Sequence, residues 1–287
     1  MSSSTRTTAT RAVQYGAVAL GRLTSESRML PTFLIAGAQR SGTTSMYRAL
    51  SQHPAVLKAP FHKGVHYFDI GYHRGMAWYR GHFPTGRRAA AVQRATGERP
   101  QTFESSPYYL CHPLAGERIA RDLPGVRLVV LLRDPVERAY SAHAHEFARG
   151  FETEPFERAL DLEESRLAGE ESRLRSDPHY RSHSHQHQAY LTRGHYVTYL
   201  RALERLVGRD RLHVVDSAEF FAAPDRVYPR VLGFLGLPDF GGARFERHNA
   251  RSRSPMPESL RRRLEDHFLR WDEELAGWWG RRPSWRR

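Results

Sequence analysis

The amino-acid sequence predicts a three-layer α/β fold, with a central parallel β-sheet flanked by helices. Three observations lead there. Residues 32–50, TFLIAGAQRSGTTSMYRAL, read as a buried strand, a glycine turn and a helix in immediate succession. Residues 127–133, RLVVLLR, are the strongest buried-strand signal in the chain, and Asp134-Pro135 then opens a second helix that runs to about Arg149. Further short strands, TFESS (102–106) and RLHVV (211–215), alternate with helical patterns, which is the order a parallel sheet requires. A chain of 287 residues with 40% hydrophobic content can build one large domain or two small ones, and this alternation favours one, over residues 31–287. The Ser/Thr/Arg-rich residues 1–30 are expected to form a loosely attached tail.

The first strand leads into the most informative turn. Gly37-Ala-Gln-Arg-Ser-Gly42-Thr43-Thr44 overlaps the nucleotide-triphosphate loop G-x-x-x-x-G-K-S/T everywhere except the lysine, so the fold reads as P-loop-like. Thr43 stands in the lysine's place, and the cation, Arg40, lies inside the loop. A strand–turn–helix unit of this kind aims backbone N–H groups and the positive end of a helix dipole at an anion. Without the lysine, triphosphate chemistry is disfavoured, whereas one terminal phosphate with a transferable group fits. Ser41 or Thr43 is available to cap the helix, in which Met46, Tyr47 and Leu50 fall at helical spacing. The plainer alternative is a glycine turn that only packs a helix on a strand.

His53-Pro54 ends that helix. Val65–Phe68 is a compact aromatic run holding His66, which is an acid–base candidate if the run lies beside the loop and a packing residue otherwise. Residues 71–84 suit a small lid or core helix, and 86–100 a surface helix or loop. Glu104, at a strand end, suits a site residue or a helix cap. Arg133 ends the RLVVLL strand and Ser141 faces inward about two turns into the next helix, so the two can hold a second phosphate in the crevice of a parallel sheet; Arg133 can equally pair with Glu137.

Residues 151–177 are charged and helical. In HYRSHSHQHQAY the alternation of His183, His185 and His187 would put all three on one strand face, although the chemistry below needs no metal there. Helices follow at Tyr196–Leu206 and Pro224–Leu235, then a basic, proline-broken loop at 247–257. Leu260, Leu264, Phe268, Trp271 and Leu275 mark one face of a terminal helix that packs on the core.

Composition narrows the classes. One cysteine, Cys111, excludes a disulfide framework and a cysteine metal cluster. No apolar stretch approaches the roughly 18 residues of a membrane span, and no signal-type segment is evident, so a cytoplasmic location is expected. The formal charge is +13, and all but Lys58 and Lys63 of the 44 basic residues are arginine. Arginine grips phosphate and sulfate through two parallel bonds, although codon bias accounts for much of the excess. Zinc-finger and RNP patterns are missing, which argues against a nucleic-acid partner.

Together the two anion motifs resemble those of sulfotransferases that use 3′-phosphoadenosine 5′-phosphosulfate (PAPS). AQRSGTTS is similar to that family's 5′-phosphosulfate loop and LLRDPVERAYSAH to its 3′-phosphate motif. KGVHYFD, TFESSPYYL, the Gly194 region, FLGLP and the arginine-rich turn before Pro255 extend the likeness over roughly residues 30–285, toward the branch that sulfates heparan-type and other carbohydrates and its bacterial relatives. The resemblance implies a PAPS-dependent enzyme, with PAP as product and no metal, acting on a hydroxyl-bearing acceptor, a glycan or glycosylated metabolite, or on an amine. Gln39, Arg40, Ser41, Gly42, Thr43 and Thr44 would bind the 5′-phosphosulfate, Arg133 and Ser141 the 3′-phosphate, and Arg251 or Arg253 would close over the nucleotide. The family's base is often a glutamate just before Val65, where this chain has Gly64, and a lysine often follows position 104, where it has Ser105. His66 is therefore the candidate base, with Asp69 or Glu104 as its orienting carboxylate. An ATP- and Mg²⁺-dependent phosphotransferase and a non-catalytic anion- or glycan-binding relative are the alternatives.

Overall fold

In the computed structural model, which describes residues 18–245 and 255–287, five parallel strands form one sheet. They are β1 (Phe33–Gly37), β2 (Val56–Lys58), β3 (Gln101–Ser105), β4 (Arg127–Leu132) and β5 (Leu212–Asp216), in the order β2-β3-β1-β4-β5. β1 is central, flanked by β3 (Phe33 beside Phe103) and β4 (Leu34 beside Leu128). Its position explains its sequence: all five residues are buried, as they must be with helices on both faces. β2 was not expected, because three residues are too few to show a period.

Alternation along β1 and β4 feeds two cores. Leu34, Ala36, Leu128, Val130 and Leu132 point to one face, where they meet Tyr67, Phe68, Tyr79 and Phe83. That face also receives α1 (Ala115–Asp122) and α2 (Tyr196–Val207), the latter through Tyr196, Val197, Leu200, Leu203 and Val207. Phe33, Ile35, Val129 and Leu131 point to the other, covered by α3 (Thr43–Leu50) and α4 (Pro224–Leu235). A third cluster joins α5 (Pro135–Phe147) to α6 (Glu258–Trp279), which buries Leu260, Leu264, Phe268 and Leu275, while Trp271 stacks on His195.

Residues 71–84 hold a short helix, Met76–Arg80, whose Tyr79 lies in the core with Phe83. Gly86–Thr96 is a surface helix capped by the Thr85 hydroxyl. The charged 151–177 stretch divides into three short helices, Phe156–Asp161, Glu163–Leu167 and Glu170–Ser176. Ahead of β1, Arg28 donates to the Phe83 carbonyl at 2.8 Å and Met29 N to the Pro84 carbonyl at 2.9 Å.

One expectation is overturned outright. The histidine run is not a strand: His183–His187 is a helix capped by the Ser182 hydroxyl. Helical rotation puts His183 and His187 on one side, with ring centroids 5.1 Å apart, and turns His185 into the interior, where its Nδ1 meets the Tyr108 hydroxyl at 2.7 Å. Burial, and then the nearby Arg193, push the His185 pKa down to about 3, so it is a neutral packing residue. A serine cap at the start decided the conformation over the two-residue alternation.

Candidate active site

The strand order puts the loop after β1 and the loop after β4 side by side at the carboxyl edge, where the chain changes direction across the sheet. Gly42 takes φ 86°, a conformation that favours glycine, and turns the chain into α3. The N-cap position falls on Gly42, and neither Ser41 nor Thr43 caps the helix, which corrects the expectation for those two. The Ser41 hydroxyl is buried without a hydrogen-bond partner, and the hydroxyls of Thr43 and Thr44 instead accept from the Lys63 ammonium at 3.2 and 2.9 Å. The helix therefore turns the positive end of its dipole toward the loop and these hydroxyls, a setting that favours an anion.

Arg40 and Gln39 join this loop to the second motif. Arg40 Nε donates to Ser141 Oγ at 3.1 Å, and Arg133 Nη1 donates to the Arg40 carbonyl at 3.4 Å. Arg133 also reaches Glu137 at 3.3 Å, and Arg261 closes on the same carboxylate at 2.6 Å, so the local pairing read from the sequence and the placement at the loop both occur. Gln39 Nε2 donates to Glu146 at 3.0 Å, and its amide oxygen accepts from the buried Arg193. Thus Gln39, Arg40, Ser41, Gly42, Thr43, Thr44, Arg133 and Ser141 are brought together; Arg251 and Arg253 lie outside the described residues.

The His66 segment forms the opposite wall. Lys63 ties it to the loop, and the Lys63 carbonyl accepts from Ser105 N at 2.8 Å, which fixes the segment against the end of β3. His66 takes φ 55°, followed by a π-helical turn at Tyr67–Gly71. Of the two carboxylates considered, Asp69 is the one bonded to His66, Oδ2 to Nδ1 at 2.7 Å, with the histidine side chain 38% exposed and the aspartate fully buried. Burial alone would lower the imidazole pKa; the charge and hydrogen bond of Asp69, with Glu104 beyond, outweigh it and hold the pKa above its ordinary value. With Nδ1 committed to Asp69, Nε2 is the atom that takes up a proton.

Glu104 has other partners. It is fully buried, and its carboxylate accepts from Val65 N (2.7 Å), Ser106 Oγ (2.6 Å), Tyr109 OH (2.6 Å) and Tyr79 OH (3.2 Å). Burial raises its pKa, and the bonds from Ser106, Tyr109 and Val65 offset part of that rise. It anchors the backbone that presents His66. Gly64 accounts for the missing glutamate: a Cβ there would lie 2.5 Å from the Ser105 carbonyl oxygen and 2.8 Å from Ser106 Oγ.

A family model for the sulfotransferase domain matches residues 30–251 of this chain. The chain belongs to the sulfotransferase family. This sulfotransferase superposes on the crystal structure of a sulfotransferase from Alicyclobacillus acidocaldarius with a TM-score of 0.64 at 27% identity, covering 90% of this chain and 100% of that one. The membrane-associated sulfotransferase kil1 of Dictyostelium discoideum is 23% identical over 322 residues, 89% of this chain and 66% of kil1. The bifunctional heparan sulfate N-deacetylase/N-sulfotransferase 2 of Bos taurus is 29% identical over 216 residues, which span 74% of this chain but only 22% of that protein. Among the described residues, no helix of the sulfotransferase is long and apolar enough to cross a membrane.

Sequence reasoning missed Lys63 as a site residue, together with Arg193 and Glu146. A signal for the first was present. In a chain whose cations are almost all arginine, a lysine is an exception, and a compact ammonium does what a planar guanidinium cannot. Arg193 and Glu146 carried no such mark, since their approach to Gln39 depends on α5 and the 191–195 turn folding over the loop.

Proposed function

We propose that this sulfotransferase moves a sulfuryl group from PAPS to a hydroxyl of a carbohydrate or glycosylated small molecule. The observation that supports it best is the joining of the two anion motifs, Arg40 on Ser141 and Arg133 on the Arg40 carbonyl, beside the start of α3. A donor with charge at both ends needs cations and N–H groups converging from two turns, and a buried Ser41 hydroxyl without a partner suits such a ligand. PAPS supplies an activated sulfuryl group whose departure leaves PAP.

Catalysis by this chain is positioning and charge neutralisation around an in-line displacement, as in phosphoryl transfer. The loop amides and Arg40 stabilise charge growing at the 5′ end. Arg133 and Ser141 hold the 3′-phosphate and so fix the donor's register. His66, oriented by Asp69, takes the acceptor proton at Nε2. The kinship with heparan sulfate N-sulfotransferases over 74% of the chain supports a glycan acceptor and makes an amine the second acceptor to try.

The test is transfer of radiolabel from PAPS to a panel of glycans, glycosylated metabolites and amino sugars. Labelled glycan is the expected result; PAP binding with no labelled acceptor would indicate a binding relative. A thermal shift with ATP and Mg²⁺ but none with PAP would favour the phosphotransferase instead.

A further inference from the structure

Lys63 occupies an unusual place. Its ammonium sits at the start of α3 between the Thr43 and Thr44 hydroxyls, and among the described residues it forms no ion pair. Each hydroxyl that accepts from it keeps its own proton to donate elsewhere. Its backbone is pinned to Ser105 of β3, so the side chain reaches the loop from a segment other than the one that carries Arg40. Two cations from different segments, Arg40 and Lys63, thus lie within each other's field near the start of α3. Burial, and then repulsion from Arg40, pull the Lys63 pKa down to about 8. Such a pairing is unfavourable until an anion lies between the two charges.

We propose that Lys63 is a second cationic clamp on the 5′ end of the nucleotide, touching the phosphate to which the transferable sulfuryl group is attached. The proposal rests on the PAPS reading above. In transfer, the acceptor oxygen forms a bond to sulfur as the sulfur–oxygen bond to the 5′-phosphate breaks. The electron pair stays on that phosphate oxygen, and the acceptor proton goes to His66. Lys63 and Arg40 together face the oxygen that gains charge, with the Thr43 and Thr44 hydroxyls as further donors. Because the clamp meets the 5′ end alone, it discriminates between PAP and adenosine 3′-phosphate, which lacks the 5′ group.

Isothermal titration of the full chain with both nucleotides tests this. Lys63→Ala should weaken PAP binding about tenfold or more, the loss of one hydrogen bond to a charged group, and leave adenosine 3′-phosphate within about twofold of wild type, with Lys63→Arg between. A second readout is proton uptake. Near pH 8 the bound phosphate should restore the Lys63 proton, so the binding enthalpy of PAP should depend on buffer in the wild type and lose that dependence in Lys63→Ala. The charged groups that interact with Lys63 are Arg40 on the loop and His66 on its own segment, which the variant leaves in place. Equal loss for both nucleotides would make Lys63 a structural residue and overturn the clamp, and unchanged PAP affinity would overturn it alone. A folded wild type that binds no PAP would remove the nucleotide reading together with it.

Discussion

Arg40 and His66, at φ 68° and 55°, are the non-glycine residues held in the left-handed region among the described residues. Such a backbone costs on the order of 1–3 kcal/mol and persists where surrounding contacts impose it. Here those contacts are Ser141 and Arg133 on one residue, and Asp69 and Ser106 on the other. Arg40→Ala removes the loop cation and should abolish measurable transfer. His66→Ala should lower turnover by about 10²- to 10⁴-fold, the contribution of a positioned base, while PAP affinity by titration stays near wild type; lost affinity would take His66 out of the base role. Asp69 carries a sign that can be checked. Its charge holds the His66 pKa up, and the imidazole acts as a base only when neutral, so activity should rise with pH through that raised value. In Asp69→Asn the charge goes, the pKa falls, and the rising limb of kcat against pH should move to lower pH. A limb that stays in place would mean another group titrates.

At the scale of elements, β3 and the 63–71 segment work as one unit through Glu104. Its four bonds make it the internal anchor for the turn that presents His66. Glu104→Ala would leave those donors unpaired in the interior, a loss of about 3–5 kcal/mol. For a chain of this size that corresponds to roughly 6–15 °C in Tm, read by calorimetry, with Glu104→Gln losing less because it keeps one acceptor oxygen. The role was hidden in the sequence, since nothing local to TFESS tells that Val65, Tyr79 and Tyr109 converge on position 104. The strands themselves were legible: FLIAG, RLVVLL and LHVVD are apolar runs closed by turn residues, and all of them form. Short elements were less so. Val56–Lys58 is set by pairing with β3, and the histidine run took its conformation from Ser182. His66 and Arg133 could be picked out because their residue types are rare in such runs, while the ammonium of Lys63 reaches the loop from a segment whose path depends on β3.

Across the whole molecule, the terminal segment is coupled to the nucleotide loop through β5. Ser284 donates from its backbone N and its hydroxyl to Asp216, both at 2.9 Å, and Arg286 bonds Asp272 at 2.7 Å. Asp216 also caps the helix Ser217–Ala222, and the Ser217 hydroxyl donates to the Ser41 carbonyl at 2.9 Å. Removing residues 281–287 should therefore lower Tm and weaken PAP binding several-fold, on the order of 1 kcal/mol for one uncoupled hydrogen bond. A truncated chain that melts early yet binds PAP as tightly as wild type would show that this route supports the fold alone.

The tight approach at Gly64 also bears on how such a site can evolve. Two of the four glycine codons lie a single base from a glutamate codon and the other two a single base from an aspartate codon, so a carboxylate is within mutational reach. The Ser105 carbonyl bars the way: any carboxylate arriving at 64 must first push β3 aside. Lineages sharing this backbone are thereby confined to proton acceptors borne at other positions, and a designer wishing to install the acid would have to begin with the neighbouring strand.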